Sequence, residues 1–216
     1  MHSIKTIVLG VFLSLIAFCT QAQMMNTNTY MTMAPAIPQD ISPLLIGEMV
    51  PTMQLPDATG KMQNVNAMIK AKPTILVFYR GGWCPYCSKQ LSGLQQAKMK
   101  LEKMGYQLIA ISTDSPKQLS ETMHKQVLDY TLLSDSDLKM AKAFGIAYQS
   151  PEAYHNFLPK TTGGKDVDLL LPVPSVYILD QQGIIKFEYI NPDYKQRISA
   201  PLLSTVAKTI MDENKK

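Results

Sequence analysis

Apolar positions along this chain fall into two rhythms that alternate. Residues 73–79, "PTILVFY", and 106–113, "YQLIAIST", are continuous apolar runs of strand length. Between them Leu91, Leu94, Ala97, Leu101 and Met104 recur at spacings of three and four, and Gly105 closes the stripe. That order predicts a helix joining two buried parallel strands, a βαβ unit. A second unit follows, in which Ser115 and Pro116 open a helix carrying Leu119 and Met123 and lead to the strand "YTLLS". Asp135 or Ser136 is expected to cap a further helix, "DLKMAKAF", which Gly145 ends. "SVYILD", the turn "QQG" and "IIKFEYI" read as a hairpin, and an amphipathic helix over about Lys195 to Asp212 is expected to cover the sheet. Upstream, a turn at Asp57 to Gly60 between two short extended runs predicts a smaller hairpin. Residues 147–171 show little period beyond a short helix near 151–157 and are read as an insertion. The fold class is α/β, a central mixed sheet flanked by helices, with an N-terminal hairpin and an insertion before the strand that begins at Ser175.

Composition adjusts this picture at the N-terminus. With 216 residues and 46% hydrophobic content, the chain has material for one core. Lys5 precedes an uncharged apolar run of 13 residues, Ile7 to Cys19, and small Thr20 and Ala22 follow. This is the pattern of a signal peptide over 1–22, shorter than the roughly 20 residues of a spanning helix. It predicts export, to a periplasm or to the outside. Cys19 offers a lipoprotein alternative, against which bulky Phe18 counts. Residues 23–43 contain three prolines, one charge and no hydrophobic period, and read as a tether before a domain at 44–213. Met24, Met25, Met31 and Met33 in that tether are soft atoms of the kind copper(I) prefers, but no Cys or His accompanies them. We read them as a low-complexity leader. Lys and Arg exceed Asp and Glu by 21 to 17 with no basic run longer than a pair, which excludes a nucleic-acid groove.

Removal of the leader leaves Cys84 and Cys87 as the only cysteines. A loop that short barely constrains the unfolded chain, so a stabilising staple is a poor use of the pair. Zinc would need two more ligands, and only His124 and His155 remain. Redox chemistry fits better, without a metal or other cofactor. Cys84 falls just past the end of a central strand and at the start of a helix, where free N–H groups favour a thiolate. Cys87, one turn on, is placed to resolve a mixed disulfide at Cys84 and so form a Cys84–Cys87 disulfide.

The stretch "FYRGGWCPYCSKQL", with "SDSDLKMAKAFGI" and "LPVPSVYILDQQGIIKFEYINPDYKQR", resembles the peroxiredoxin-like branch of the alkyl hydroperoxide reductase and thiol-specific antioxidant family. The resemblance implies a thioredoxin-like fold. It implies that Pro174 is a cis proline facing the cysteines, with Val173 pairing to a bound partner as a short extra strand. The family's peroxidases carry a Pro, a Thr and, three residues after it, the peroxide-attacking Cys. Laid on this chain without gaps these fall on Arg80, Cys84 and Cys87, so two of the three positions depart from the pattern.

The main expectation is therefore an exported thiol–disulfide oxidoreductase. A peroxidase with Cys87 as its reactive centre is the first alternative, and a copper-handling or redox-sensing protein the second. Trp83, Pro85 and Tyr86 are expected to rim the site. Arg80 and Arg197 are candidates for stabilising a thiolate or a peroxide, unless they pair with carboxylates such as Asp193. The expected partners are a thiol or disulfide, protein or small molecule, a peroxide in the peroxidase reading, and a separate reductant.

Overall fold

The computed structural model describes residues 34–213. The expected leader, and the tether up to residue 33, lie outside the described residues. Six buried residues in succession make β3 (Thr74–Tyr79) the centre of a five-stranded sheet in the order β5-β4-β3-β8-β9. β4 (Gln107–Ser112) lies parallel to β3 and β5 (Thr131–Ser134) parallel to β4, the two crossovers being α2 (Pro85–Lys103) and α3 (Pro116–Gln126). On the other side β8 (Ser175–Leu179) runs antiparallel to β3, and β9 (Ile185–Ile190) antiparallel to β8. This is the mixed sheet of a thioredoxin-like fold.

Period-two alternation sends the side chains of β3 to two cores. Ile75, Val77 and Tyr79 join Leu91, Leu94 and Leu101 of α2 and Leu203 and Ala207 of α6 (Ala200–Glu213). On the opposite face Phe78 packs against Phe144 and Tyr177, with ring centroids 4.8 and 6.2 Å away. Each such side chain, fully buried, contributes about 1.5–3 kcal/mol, so the sheet centre is the most firmly held part of the molecule.

The N-terminal hairpin is present as β1 (Gln54–Pro56) and β2 (Met62–Asn64). Asp57 organises its turn by accepting from the Thr59 and Lys61 N–H groups. Asn64 then caps α1 (Val65–Ala71) by accepting from the Ala67 N–H.

Four expectations are corrected. The helix after β5 is α4 (Lys139–Ala143), two residues shorter at its start, because Leu138 turns into the left-handed region (φ 54°) ahead of it. Asp135 still serves its N-terminus, accepting from the Met140 and Ala141 N–H groups at 2.9 and 2.8 Å. The insertion has structure of its own: β6 (Ala147–Gln149) pairs with β7 (Leu170–Pro172), and α5 (Leu158–Thr162) begins only after residues 151–157, which were expected to be helical. A 3-10 turn at Glu152–Tyr154 takes that place, after Pro151. The last helix starts at Ala200, not Lys195, because Asn191 and Asp193 bond the N–H groups of Asp193 and Lys195 and hold that stretch in turns. Finally, no peptide bond among the described residues is cis, so the bond before Pro174 is trans.

Residues 35–43, read as tether, run along the domain. The Pro35 carbonyl accepts from the Gln149 N–H at 2.9 Å, and the Leu44 N–H donates to the Phe144 carbonyl at 3.1 Å. Among the described residues no helix is long and apolar enough to cross a membrane.

Candidate active site

The site forms where β3 gives way to α2. Arg80, Gly81 and Gly82 make the turn, and it is pinned from beneath by the loop after β4. Thr113 Oγ1 donates to the Arg80 carbonyl at 3.0 Å, and the Gly82 N–H donates to Asp114 Oδ2 at 2.7 Å. Only glycine fits here. A Cβ on Gly81 (φ 151°) would lie 2.1 Å from Trp83 Nε1, and one on Gly82 would lie 1.9 Å from Thr122 Oγ1.

Cys84 is the N-cap of α2 and Pro85 its first residue, a position where the missing N–H costs nothing. Cys84 and Cys87 are free thiols one turn apart, exposed by only 1% and 0%. The Cys87 thiol beside it, then the Cys87 N–H, then the charges of Arg80 and Arg197 lower the Cys84 thiol to about 6 against the opposing effect of burial. Cys87 moves the other way, pushed up by burial and by the thiolate at Cys84. The two shifts run in opposite directions, so the charged form is favoured at Cys84 and the protonated form at Cys87.

Arg197 reaches Cys87, Arg80 acts on Cys84 through its charge, and neither pairs with a carboxylate in any ion pair among the described residues. Arg197 Nη2 lies 3.5 Å from Cys87 Sγ, while Nη1 donates to the carbonyls of Tyr194 and Gln196. Asp193, the partner expected for it, is occupied by the Lys195 N–H. Arg80 is 1% exposed, and its guanidinium carbon sits 4.2, 4.7 and 5.1 Å from the ring centroids of Tyr194, Tyr154 and Trp83. Burying a cation costs several kcal/mol, of which each ring returns about 0.5–2 kcal/mol. Burial works against its charge, but Tyr154, Tyr148 and the sulfur of Cys84 more than offset it.

Trp83 stands against Tyr154 and Phe157, and Tyr86, 38% exposed, meets Tyr194 edge-on, so both belong to an aromatic rim. Val173 and Pro174 do not present an open edge. Both are buried, the Val173 N–H is spent on the Ile146 carbonyl at 2.8 Å, and its carbonyl accepts from Ser175 Oγ. Sequence reasoning missed Asp114, Tyr154 and Tyr194. Asp114 was discoverable as the first carboxylate after a central strand, whereas nothing local in the stretches that hold the two tyrosines tied them to Arg80. Among the described residues no cluster of three or more His, Cys, Asp or Glu could hold a metal.

A thiolate and a second thiol on one helical turn, with two guanidinium groups beside them, equip a protein for thiol redox chemistry. The AhpC/TSA family model matches residues 46–188, and the chain belongs to that family. Peroxiredoxin Bcp of Escherichia coli strain K12 is 30% identical over 155 residues, covering 72% of this chain and 90% of that protein. The chloroplastic peroxiredoxin Q of Suaeda salsa is 30% identical over 145 residues, 67% of this chain and 59% of the relative. Among solved structures, peroxidoxin BcpB of Mycobacterium tuberculosis superposes with a TM-score of 0.62 at 19% identity, over 78% of this chain and 96% of the other. Reduced Prx3 of Vibrio vulnificus in complex with hydrogen peroxide gives 0.64 at 18%, over 76% and 99%. Like its family, this chain is a thiol-dependent oxidoreductase.

Proposed function

We propose that the protein is a thiol peroxidase, with Cys84 as attacking thiolate and Cys87 as resolving thiol. The observation that carries this is the burial of both sulfurs around a single thiolate. A peroxide is small enough to enter such a site, whereas a protein disulfide needs a sulfur at the surface and a free backbone edge, and Val173 offers none. The relatives' names point the same way, and this moves the weight from disulfide exchange to peroxidase chemistry, which the sequence had suggested with Cys87 as the reactive centre. In the first step the Cys84 thiolate attacks one peroxide oxygen, the O–O bond breaks, and the alkoxide takes a proton to leave as alcohol or water. The sulfenic acid on Cys84 is then attacked by Cys87, forming the disulfide and releasing water. Two external thiols, or one dithiol, supply two electrons and two protons to restore the pair and are themselves oxidised to a disulfide.

A second reading exchanges the sulfurs. Cys87 occupies the position of the family's attacking cysteine, and Arg197 Nη2 lies 3.5 Å from it. Single serine variants decide between the two. With Cys84 attacking, Cys87→Ser forms a trappable sulfenic acid under hydrogen peroxide and Cys84→Ser forms none. The reverse result makes Cys87 the attacking sulfur, and an unreactive pair in the unmutated protein defeats the peroxidase reading. We also place this activity outside the cytoplasm, on the strength of the leader at 1–22. N-terminal sequencing of exported material is expected to begin near Gln23, and a lipid-bearing Cys19 at the terminus would contradict it.

A further inference from the structure

Arg80 is the largest fully buried side chain of the described residues, yet it has no carboxylate to face, and its Nε has no hydrogen-bond partner. A cation in that position needs both a scaffold and an anion. The scaffold comes from three separate pieces of chain: Trp83 from the cysteine loop, Tyr154 from the insertion and Tyr194 from the loop between β9 and α6. These rings are themselves braced, Trp83 against Tyr154 and Phe157, and Tyr194 against Tyr86. A quadrupole attracts a cation without neutralising it. An aspartate in the place of either tyrosine would have cancelled the charge that the rings leave intact.

We propose that Tyr154 and Tyr194 are positioning residues that clamp Arg80 so that its uncancelled charge holds Cys84 as a thiolate, making the insertion and the β9–α6 loop part of the active site. The groups that act on the two partners are few. Cys84 feels Cys87, Arg80 and Arg197, and Arg80 feels Tyr148, Tyr154 and Cys84. The clamp also explains why two aperiodic segments carry their aromatic residues toward one point, a convergence that packing of the central sheet does not require.

This inference rests on Cys84 as the reactive thiolate and is indifferent to the oxidant, so the test uses no peroxide. The full-length protein and its variants are alkylated with iodoacetamide from about pH 4 to pH 9, and the labelling of Cys84 is followed by mass spectrometry. Arg80→Gln, Tyr154→Leu and Tyr194→Leu are each expected to raise the midpoint, and loss of a nearby opposite charge should shift it by about one unit. At pH 5 that is alkylation slower by about tenfold. Arg80→Lys, which keeps the charge, and Tyr194→Phe, which keeps the ring, should stay near the parent. An unchanged midpoint in Arg80→Gln overturns the electrostatic role. A shift there with none in the two leucine variants overturns the clamp. Should Arg80→Gln fail to fold, the two leucine variants decide the matter alone. No peroxide turnover by the unmutated protein, with the midpoint shifts present in the variants, would defeat the peroxidase reading and leave this inference standing.

Discussion

Asp114 shows how much one residue under the cysteine loop can encode. It is buried, Oδ2 accepts the Gly82 N–H and Oδ1 has no partner, and burial pushes its carboxyl up to about 7 despite that hydrogen bond. An unfolded aspartate titrates near about 3.9, so between that value and about 7 the folded chain keeps a proton that the unfolded chain has lost. The contribution of Asp114 to stability is therefore complete below about pH 4 and lost as pH rises through about 7. Asp114→Asn keeps an acceptor for Gly82 and never ionises. Its melting temperature relative to the parent should climb from pH 4 to pH 8 by at least 2–4 °C, the equivalent of about 1 kcal/mol in a domain of this size. A difference that stays flat across that range, measured by thermal melts, would show that Asp114 is no harder to ionise in the fold than in the unfolded chain.

Elements that obey a simple period could be read from the sequence, and those whose ends depend on backbone strain or long contacts could not. The stripe from Leu91 to Leu101 placed α2 because those residues face one core. The end of α3 is different. Val127 closes it with φ 52° and ψ 51°, a left-handed conformation that a β-branched residue adopts at a cost of roughly 1–2 kcal/mol. It is 79% exposed, so little packing would be lost on replacing it. Val127→Gly should stabilise the protein by about 0.5–1 kcal/mol, read as a higher urea midpoint at unchanged slope. A lower midpoint would mean that the exposed side chain contributes contacts outweighing the strain. The late start of α6 has a functional consequence, since the stretch before it brings Tyr194 to Arg80 and Arg197 to Cys87.

At the scale of the whole molecule, the sheet, its helices and the insertion bury the chemistry. Access to Cys84 is then governed by size. Iodoacetamide should label native Cys84 readily compared with its rate on the unfolded chain, while a polyethylene-glycol maleimide of several kDa should be slowed on the native protein by about tenfold more, a gap that closes in denaturant. Equal slowing of both reagents would mean that the sulfur is reached only through opening of the fold.

The sequence alone determined the order of the five central strands and the helices between them, the α/β class and the place of Cys84 and Cys87 at a strand-to-helix turn. Each of these follows from local periodicity, turn chemistry and spacing, which act over a few residues. It also carried the family resemblance, because the motif and the strand order are linear features. Tertiary structure alone decided that both sulfurs are buried, that the bond before Pro174 is trans, and that Val173 has spent its N–H on Ile146. It alone brought Trp83, Tyr154 and Tyr194 around Arg80 from positions up to 111 residues apart along the chain. Burial and electrostatic coupling depend on distance in space, and no window of sequence reports which distant ring will stand over a given cation.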